Sequence, residues 1–160
     1  MKEYLLNTKW KIWYHSINDD SWKNSSYKMI YDINNLYDLR IVTDNIKSNH
    51  LQNGMFFVMK EDIFPTWEYV DNREGCCISF KVPASQLLDN WNSLFIKIIT
   101  NEIFKDTSKI DELNGFSISP KKEFNIIKLW LKNDNKNYDE FINEYEPFFV
   151  KSKSIHRKHF

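Results

Sequence analysis

Apolar residues change their period several times along this chain. Over residues 85–101, Leu87, Leu88, Trp91, Leu94, Phe95 and Ile98 recur at i, i+1, i+4, i+7, i+8 and i+11. That spacing lays one broad apolar stripe along a helix, and Pro83 and Ser85 supply its start. Residues 32–46 form a second, less regular candidate, with Ile33, Leu36 and Tyr37 on one side. Residues 138–145 form a third, with Phe141 and Ile142 turned inward. Between them lie short β-prone runs at 9–15, 27–31, 55–60, 77–82, 116–119, 125–131 and 148–153. In the first run, alternation puts Trp10, Ile12 and Tyr14 on one strand face, read as core, and Trp13 and His15 on the other. Many strands and few helices, without regular alternation, predict an α+β fold with a mainly antiparallel sheet. Three amphipathic helices then cover one face and leave the other available for a ligand.

Composition narrows the function classes. The 160 residues read as one domain, 1–160, with an N-terminal arm at 1–8 and a basic C-terminal end at 151–160. There are 22 basic and 22 acidic residues, so the formal net charge is zero. A phosphate-neutralising surface for general nucleic-acid binding is therefore disfavoured, and any such contact must be local. Only 3 glycines are present, which argues against a glycine-rich phosphate loop, whereas aromatics reach 16%. Cys76 and Cys77 are adjacent and poorly placed to pair, so they read as reduced thiols of a cytosolic or nuclear protein. No run approaches a membrane span, and the first six residues lack a signal-peptide core.

Three tryptophans stand out. Trp22 sits in a polar run of Asn, Asp, Ser and Lys; Trp67 follows Pro65-Thr66 and precedes Glu68; Trp130 ends the run that starts at Asn125. An indole in a polar loop leaves apolar area in water unless something flat covers it. Trp22 is either an edge-packed surface indole or a stacking platform. Two loop indoles beside a glutamate can form a slot for a flat, cationic, hydrogen-bonding ligand such as a methylated guanine. One carboxylate accepts from both N1–H and the exocyclic amine of guanine, and such charge-assisted bonds are roughly twice as strong as neutral ones. N7-methylation makes the ring cationic and adds about 0.5–2 kcal/mol per indole face.

No catalytic centre or cofactor is predicted. Cys77 lacks an identifiable base, and no acidic metal-ligand cluster stands out. His15, His50, His156 and His159 form no recognisable metal cluster with the cysteines, although His156 and His159 could take a metal adventitiously.

The chain resembles the cap-binding translation initiation factor 4E family over roughly residues 6–155. The matching elements are Lys9-Trp10-Lys11-Ile12-Trp13-Tyr14, Ser21-Trp22, and Ile63-Phe64-Pro65-Thr66-Trp67-Glu68 followed by Asn72 and Gly75. Leu88-Asp89-Asn90-Trp91, Asn101-Glu102-Ile103-Phe104, and Gly115 with the strand leading to Trp130 come next. The resemblance implies a curved, mainly antiparallel eight-stranded sheet with three helices on its convex face. It also implies that Trp22 and Trp67 sandwich a 7-methylguanine, that Glu68 reads its Watson–Crick edge, and that Trp130 packs against the methyl group.

Two surfaces depart from the family pattern. Where the family supplies an Arg and a Lys to the cap phosphates, this chain holds Lys121 and Ile126. Lys121 offers a point charge in place of a bidentate fork. Lys122 can alternate with it, and Lys128, on the strand face of Trp130, can partly replace the missing Lys; each could equally be an ordinary solvated lysine. Lys151, Lys153, Arg157 and Lys158 either fold over the phosphates or belong to a free tail. The docking entry reads Tyr4-Leu5-Leu6, and Tyr37 stands at the exposed helix Trp, with Ile33 one turn earlier. Leu5, Leu6, Ile33 and Tyr37 would accept an amphipathic helix from a scaffold resembling initiation factor 4G or from a 4E-binding peptide. Otherwise they pack the arm against the first helix.

The reading is thus a monomeric, non-enzymatic protein that binds capped mRNA and delivers it to a translation scaffold in the cytoplasm, in part in the nucleus, or in host cytoplasm if the chain is viral. A cap-sequestering regulator and a groove for sugars or peptides are the alternatives.

Overall fold

A computed structural model describes residues 4–160; residues 1–3 of the expected arm lie outside the described residues. The strands are β1 (Leu5–Ser16), β2 (Lys28–Asn35), β3 (Gly54–Lys60), β4 (Cys76–Pro83), β5 (Leu113–Pro120), β6 (Phe124–Leu131) and β7 (Ile155–Lys158). They form one sheet in the order β2-β1-β3-β5-β6-β4-β7, with every neighbouring pair antiparallel. Seven strands are present among the described residues, against the eight that the resemblance implies. The helices are α1 (Leu36–Asn45), α2 (Ser48–Asn53) and α3 (Leu87–Ile99).

The two-residue period of the strands separates two apolar clusters. Trp10 and Ile12 of β1, Phe56 and Val58 of β3, and Ile78 and Phe80 of β4 face the helices. Leu39 and Val42 of α1, Leu51 of α2, and Leu87, Trp91, Leu94, Phe95 and Ile98 of α3 close that core. Tyr27, Phe57, Met59, Cys77 and Trp130 cluster on the opposite face, with Trp13 and Phe64 against them. This second cluster underlies the candidate functional surface.

The differences from the expected elements have local causes. The second helix begins at Leu36 because the Asn35 side chain accepts from the Asp38 N–H at 2.9 Å and caps it there. Asp38 in turn accepts from the Asn34 N–H at 2.9 Å. Residues 32–35 instead complete β2, with Ile33 paired opposite Trp10. Residues 138–145 form no α-helix. After a 3₁₀ turn at Tyr138–Glu140, the backbone bonds across to residues 103–105: Lys105 donates to the Phe141 carbonyl at 2.9 Å, and Asn143 donates to the Ile103 carbonyl at 2.8 Å. Phe141 and Ile142 are nevertheless buried as expected. The third helix is α2, whose polar sequence carries one buried apolar residue, Leu51. The run at 148–153 forms only a bridge from Tyr145 to Phe149 and a short 3₁₀ turn, and the strand lies further on, as β7.

Candidate functional site

Two loops on the face away from the helices carry the exposed indoles. The β1–β2 loop turns where Asp19 accepts from the Ser21 N–H at 2.8 Å. Trp22 then lies flat on His15, with ring centroids 4.2 Å apart and planes 11° from parallel. His15 is fully buried, and its two ring nitrogens sit 2.8 Å from the Ser16 and Ser21 carbonyl oxygens. Those contacts fix the imidazole plane, so one face of Trp22 has a rigid backing. The indole stays 58% exposed.

The β3–β4 loop is organised by Asn72, which is fully buried. Its amide donates to the Phe64 and Thr66 carbonyls at 3.0 and 2.9 Å, clamping both sides of Pro65. Asn114 donates to the Asn72 side-chain oxygen at 3.0 Å and to the Asp71 carbonyl at 2.8 Å, tying the loop to β5. Gly75 closes the loop where a Cβ would lie 1.8 Å from the Leu131 carbonyl oxygen, so only glycine fits. Trp67 projects from this clamped loop with 44% exposure, and Glu68 beside it is exposed. The Phe160 ring meets the Trp67 ring edge-on, 5.1 Å between centroids.

Trp22, Trp67, Glu68 and Trp130 line one cleft of about 210 Å³, floored by Tyr27 and Phe57. The Trp130 N–H donates to the Ser117 hydroxyl at 3.0 Å, which orients that buried indole. Burial, and then the nearby Glu68 carboxylate, push the Tyr27 phenol up to about 12. The phenol is therefore neutral and available as a hydrogen-bonding group.

A second cleft of about 490 Å³ adjoins the first, and Trp67, Lys128 and Trp130 line both. Lys121, from the β5–β6 turn, and Arg157 and Lys158, from β7, line it as well. Ile126 lies on its wall as an apolar surface. Lys122 is exposed and lines neither cleft. Lys151 pairs with Asp139 at 3.1 Å, and Lys153 donates to the Pro147 carbonyl at 2.8 Å, so both are engaged elsewhere. A chain of zero net charge thus gathers cations at one place, beside a slot whose carboxylate is Glu68.

His15 and His159 are the cleft-side residues missed by sequence reasoning, whereas Arg157 and Lys158 of the expected basic end do line the larger cleft. Alternation had placed His15 on the correct face, but nothing in the sequence ties it to Trp22. His159 and Arg157 owe their places to β7 pairing with β4, which sets Arg157 opposite Cys77. His159 bonds through Nδ1 to the Asn72 carbonyl at 2.7 Å, and its Nε2 lies 3.1 Å from the Cys77 sulfur. A base therefore does stand beside Cys77, contrary to expectation. Burial pushes the thiol up to about 12, and burial also lowers the His159 pKa, opposed in part by the bond to Asn72. Both groups are neutral at pH 7, and the pair is not an activated nucleophile.

The residues expected to dock a helix divide between surface and core. Tyr4, Leu5, Tyr37 and Ile41 are exposed, and the Tyr4 and Tyr37 rings lie 6.0 Å apart. Leu6 packs against the helix-side core. Ile33 is 0% exposed, because it points from β2 into that core and does not share the α1 surface with Tyr37.

The arrangement is an aromatic slot opening onto a cationic groove. Comparison with known proteins gives the family. The model for eukaryotic initiation factor 4E matches residues 5–152, and the chain belongs to that family, whose members are initiation factors and not enzymes. It is 29% identical over 136 residues to eukaryotic translation initiation factor 4E of Dictyostelium discoideum, covering 81% of this chain and 53% of that one. The Saccharomyces cerevisiae protein of the same name is 27% identical over 142 residues, covering 84% and 64%. The chain thus spans between half and two thirds of the length of these relatives. Among solved structures, Ascaris suum eIF4E-3 with m7G cap superposes with a TM-score of 0.75 at 19% identity, covering 87% of this chain and 79% of that one. C. elegans eIF4E-3 with the 4E-binding protein Mextli and cap analog gives a TM-score of 0.74 at 20% identity, covering 87% and 79%. No helix among the described residues is long and apolar enough to cross a membrane.

Proposed function

We propose that this protein binds the 7-methylguanosine cap of mRNA. In this reading the base stacks between Trp22 and Trp67, Glu68 accepts from its N1–H and amine, and Trp130 meets the methyl group. The phosphates run into the adjoining groove toward Lys121, Lys128, Arg157 and Lys158. The observation that carries the reading is the continuity of the two clefts across Trp67, Lys128 and Trp130. A base with a phosphate chain needs such a junction. Known neighbours with the same fold hold caps and 4E-binding proteins.

The exposed Tyr4, Leu5, Tyr37 and Ile41 surface supports docking of an amphipathic helix from a translation scaffold. The protein then carries capped mRNA to that scaffold, in the cytoplasm where translation occurs. Titration of intrinsic tryptophan fluorescence with 7-methyl-GTP, against GTP, tests cap binding. Quenching by the methylated nucleotide at far lower concentration is expected, and equal quenching by both removes the sandwich. Capture of a scaffold helix by the wild type but not by Tyr37→Asp tests delivery. A protein that binds cap without the helix would be a sequestering regulator.

A further inference from the structure

The end of the sheet beyond the cap-side face gathers a second set of polar groups that cap binding does not use. Cys76 opens β4, Asp134 lies in the turn that follows β6, and His156 is in β7. Strand pairing sets His156 opposite Ile78, two residues from Cys76 and on the same side of the sheet. One thiol, one carboxylate and one imidazole thereby place their ligand atoms within 4.8 Å of one another. His156 Nε2 lies 2.6 Å from the Asp134 carboxylate. The thiol is fully buried, whereas the Asp134 and His156 side chains keep 36% and 29% of their surface in solvent. A buried soft donor at the base with two donors at the rim is a site with an entry path.

The geometry points to a zinc site formed by Cys76, Asp134 and His156, with water in the fourth position. Zinc accepts sulfur, nitrogen and oxygen ligands together, in a tetrahedron with bonds of about 2.0–2.3 Å. That requires the donors to stand about 3.5 Å apart, so the cluster closes by a small side-chain movement. A harder ion such as magnesium would decline the thiolate, and the carboxylate disfavours copper(I). Burial raises the Cys76 thiol pKa, so the metal enters by displacing the thiol proton to solvent. The adventitious histidine binding anticipated from the sequence paired His156 with His159. The fold separates them, turning His159 to Cys77 and Asn72.

Bound there, zinc fastens β7 to the start of β4 and to the turn after β6. Strand β7 is short, its four residues are exposed, and it lies at the sheet edge, where β4 is its one strand partner among the described residues. A crosslink at His156 would pin the strand that also carries Arg157.

The test is a cobalt(II) titration of the reduced, metal-free 160-residue chain. One equivalent should produce a thiolate-to-cobalt charge-transfer band and the visible bands of tetrahedral cobalt, both abolished by zinc. Cys76→Ser risks the core, so His156→Ala and Asp134→Asn are the deciding variants, with folding checked by circular dichroism. Each should weaken cobalt binding at least about tenfold, while His159→Gln keeps both bands. Bands that persist unchanged in His156→Ala, or binding without the charge-transfer band, would overturn the site. Zinc should also slow amide exchange at residues 155–158, and unchanged exchange overturns the fastening.

Discussion

The two halves of the candidate site are built differently. The aromatic slot comes from two loops, each with its own internal hydrogen bonds: Trp22 lies on the fixed His15 ring, and Trp67 stands on a loop clamped by Asn72. The cationic groove is assembled from the β5–β6 turn, β6 and β7, with Lys121, Lys128 and Arg157 contributed separately. Stacking and edge reading are directional, so they need particular residue types at particular places. Phosphate attraction is nearly a sum of point charges, so a cation lost from one element can be replaced from another. Ile126 and Arg157 both line the groove, so Arg157 is the cation this chain offers for such an exchange.

Slot and groove should respond differently to substitution. Trp67→Ala should have the largest effect, about 2–4 kcal/mol of cap affinity from lost stacking and cation–π attraction. Calorimetry with 7-methyl-GTP measures it, and a change under twofold removes Trp67 from the slot. Glu68→Ala should come next, costing about 1.5–3 kcal/mol as charged hydrogen bonds are lost. It should also equalise 7-methylguanosine and 7-methylinosine nucleotides, which the wild type should separate; a preference surviving the substitution would mean that another group reads the edge.

Smaller effects belong to the groove. Lys121→Ala and Arg157→Ala should each cost about 0.5–1 kcal/mol with the triphosphate, flatten the salt dependence, and leave the monophosphate nearly unaffected. Equal losses with mono- and triphosphate ligands would refute the assignment of these cations. The smallest effect concerns His159, whose folded pKa lies below its ordinary 6.5. The unfolded chain therefore takes up the proton more readily, so the contribution of neutral His159 is complete above 6.5 and is lost as pH falls below it. Thermal unfolding midpoints should decline over that interval, and His159→Gln should flatten the decline. An unchanged slope would mean that other groups set it.

Much of the strand pattern was legible because the period of two is local. Trp10 and Ile12 against Trp13 and His15 fell on the faces their alternation predicts. Helix α3 was legible for the same reason, its stripe being nearly complete in sequence. Helix α2 was not, because its single buried side chain, Leu51, leaves no period to read. Residues 138–145 misled because two inward apolar residues fit a helix as well as a tight turn. Tertiary bonds to Ile103 and Lys105 decided between them.

What the sequence determined by itself was which residues to look for at the slot: indoles in polar loops, with a carboxylate next to one of them, can be picked out without a fold, and Trp22, Trp67, Glu68 and Trp130 line one cleft. It also determined the two-faced sheet, since alternating side chains must segregate. Only the tertiary structure decided which residues back and flank that slot. His15 reaches Trp22 through a loop reversal, while Arg157 and His159 reach the groove through the pairing of β7 with β4. Ile33 lies in the core and not on the expected docking surface by the same kind of event, a strand continuing where a helix was expected. The physical reason is common to all of them. Period and composition report what a residue prefers to face, whereas long-range backbone pairing sets which residue from elsewhere it meets.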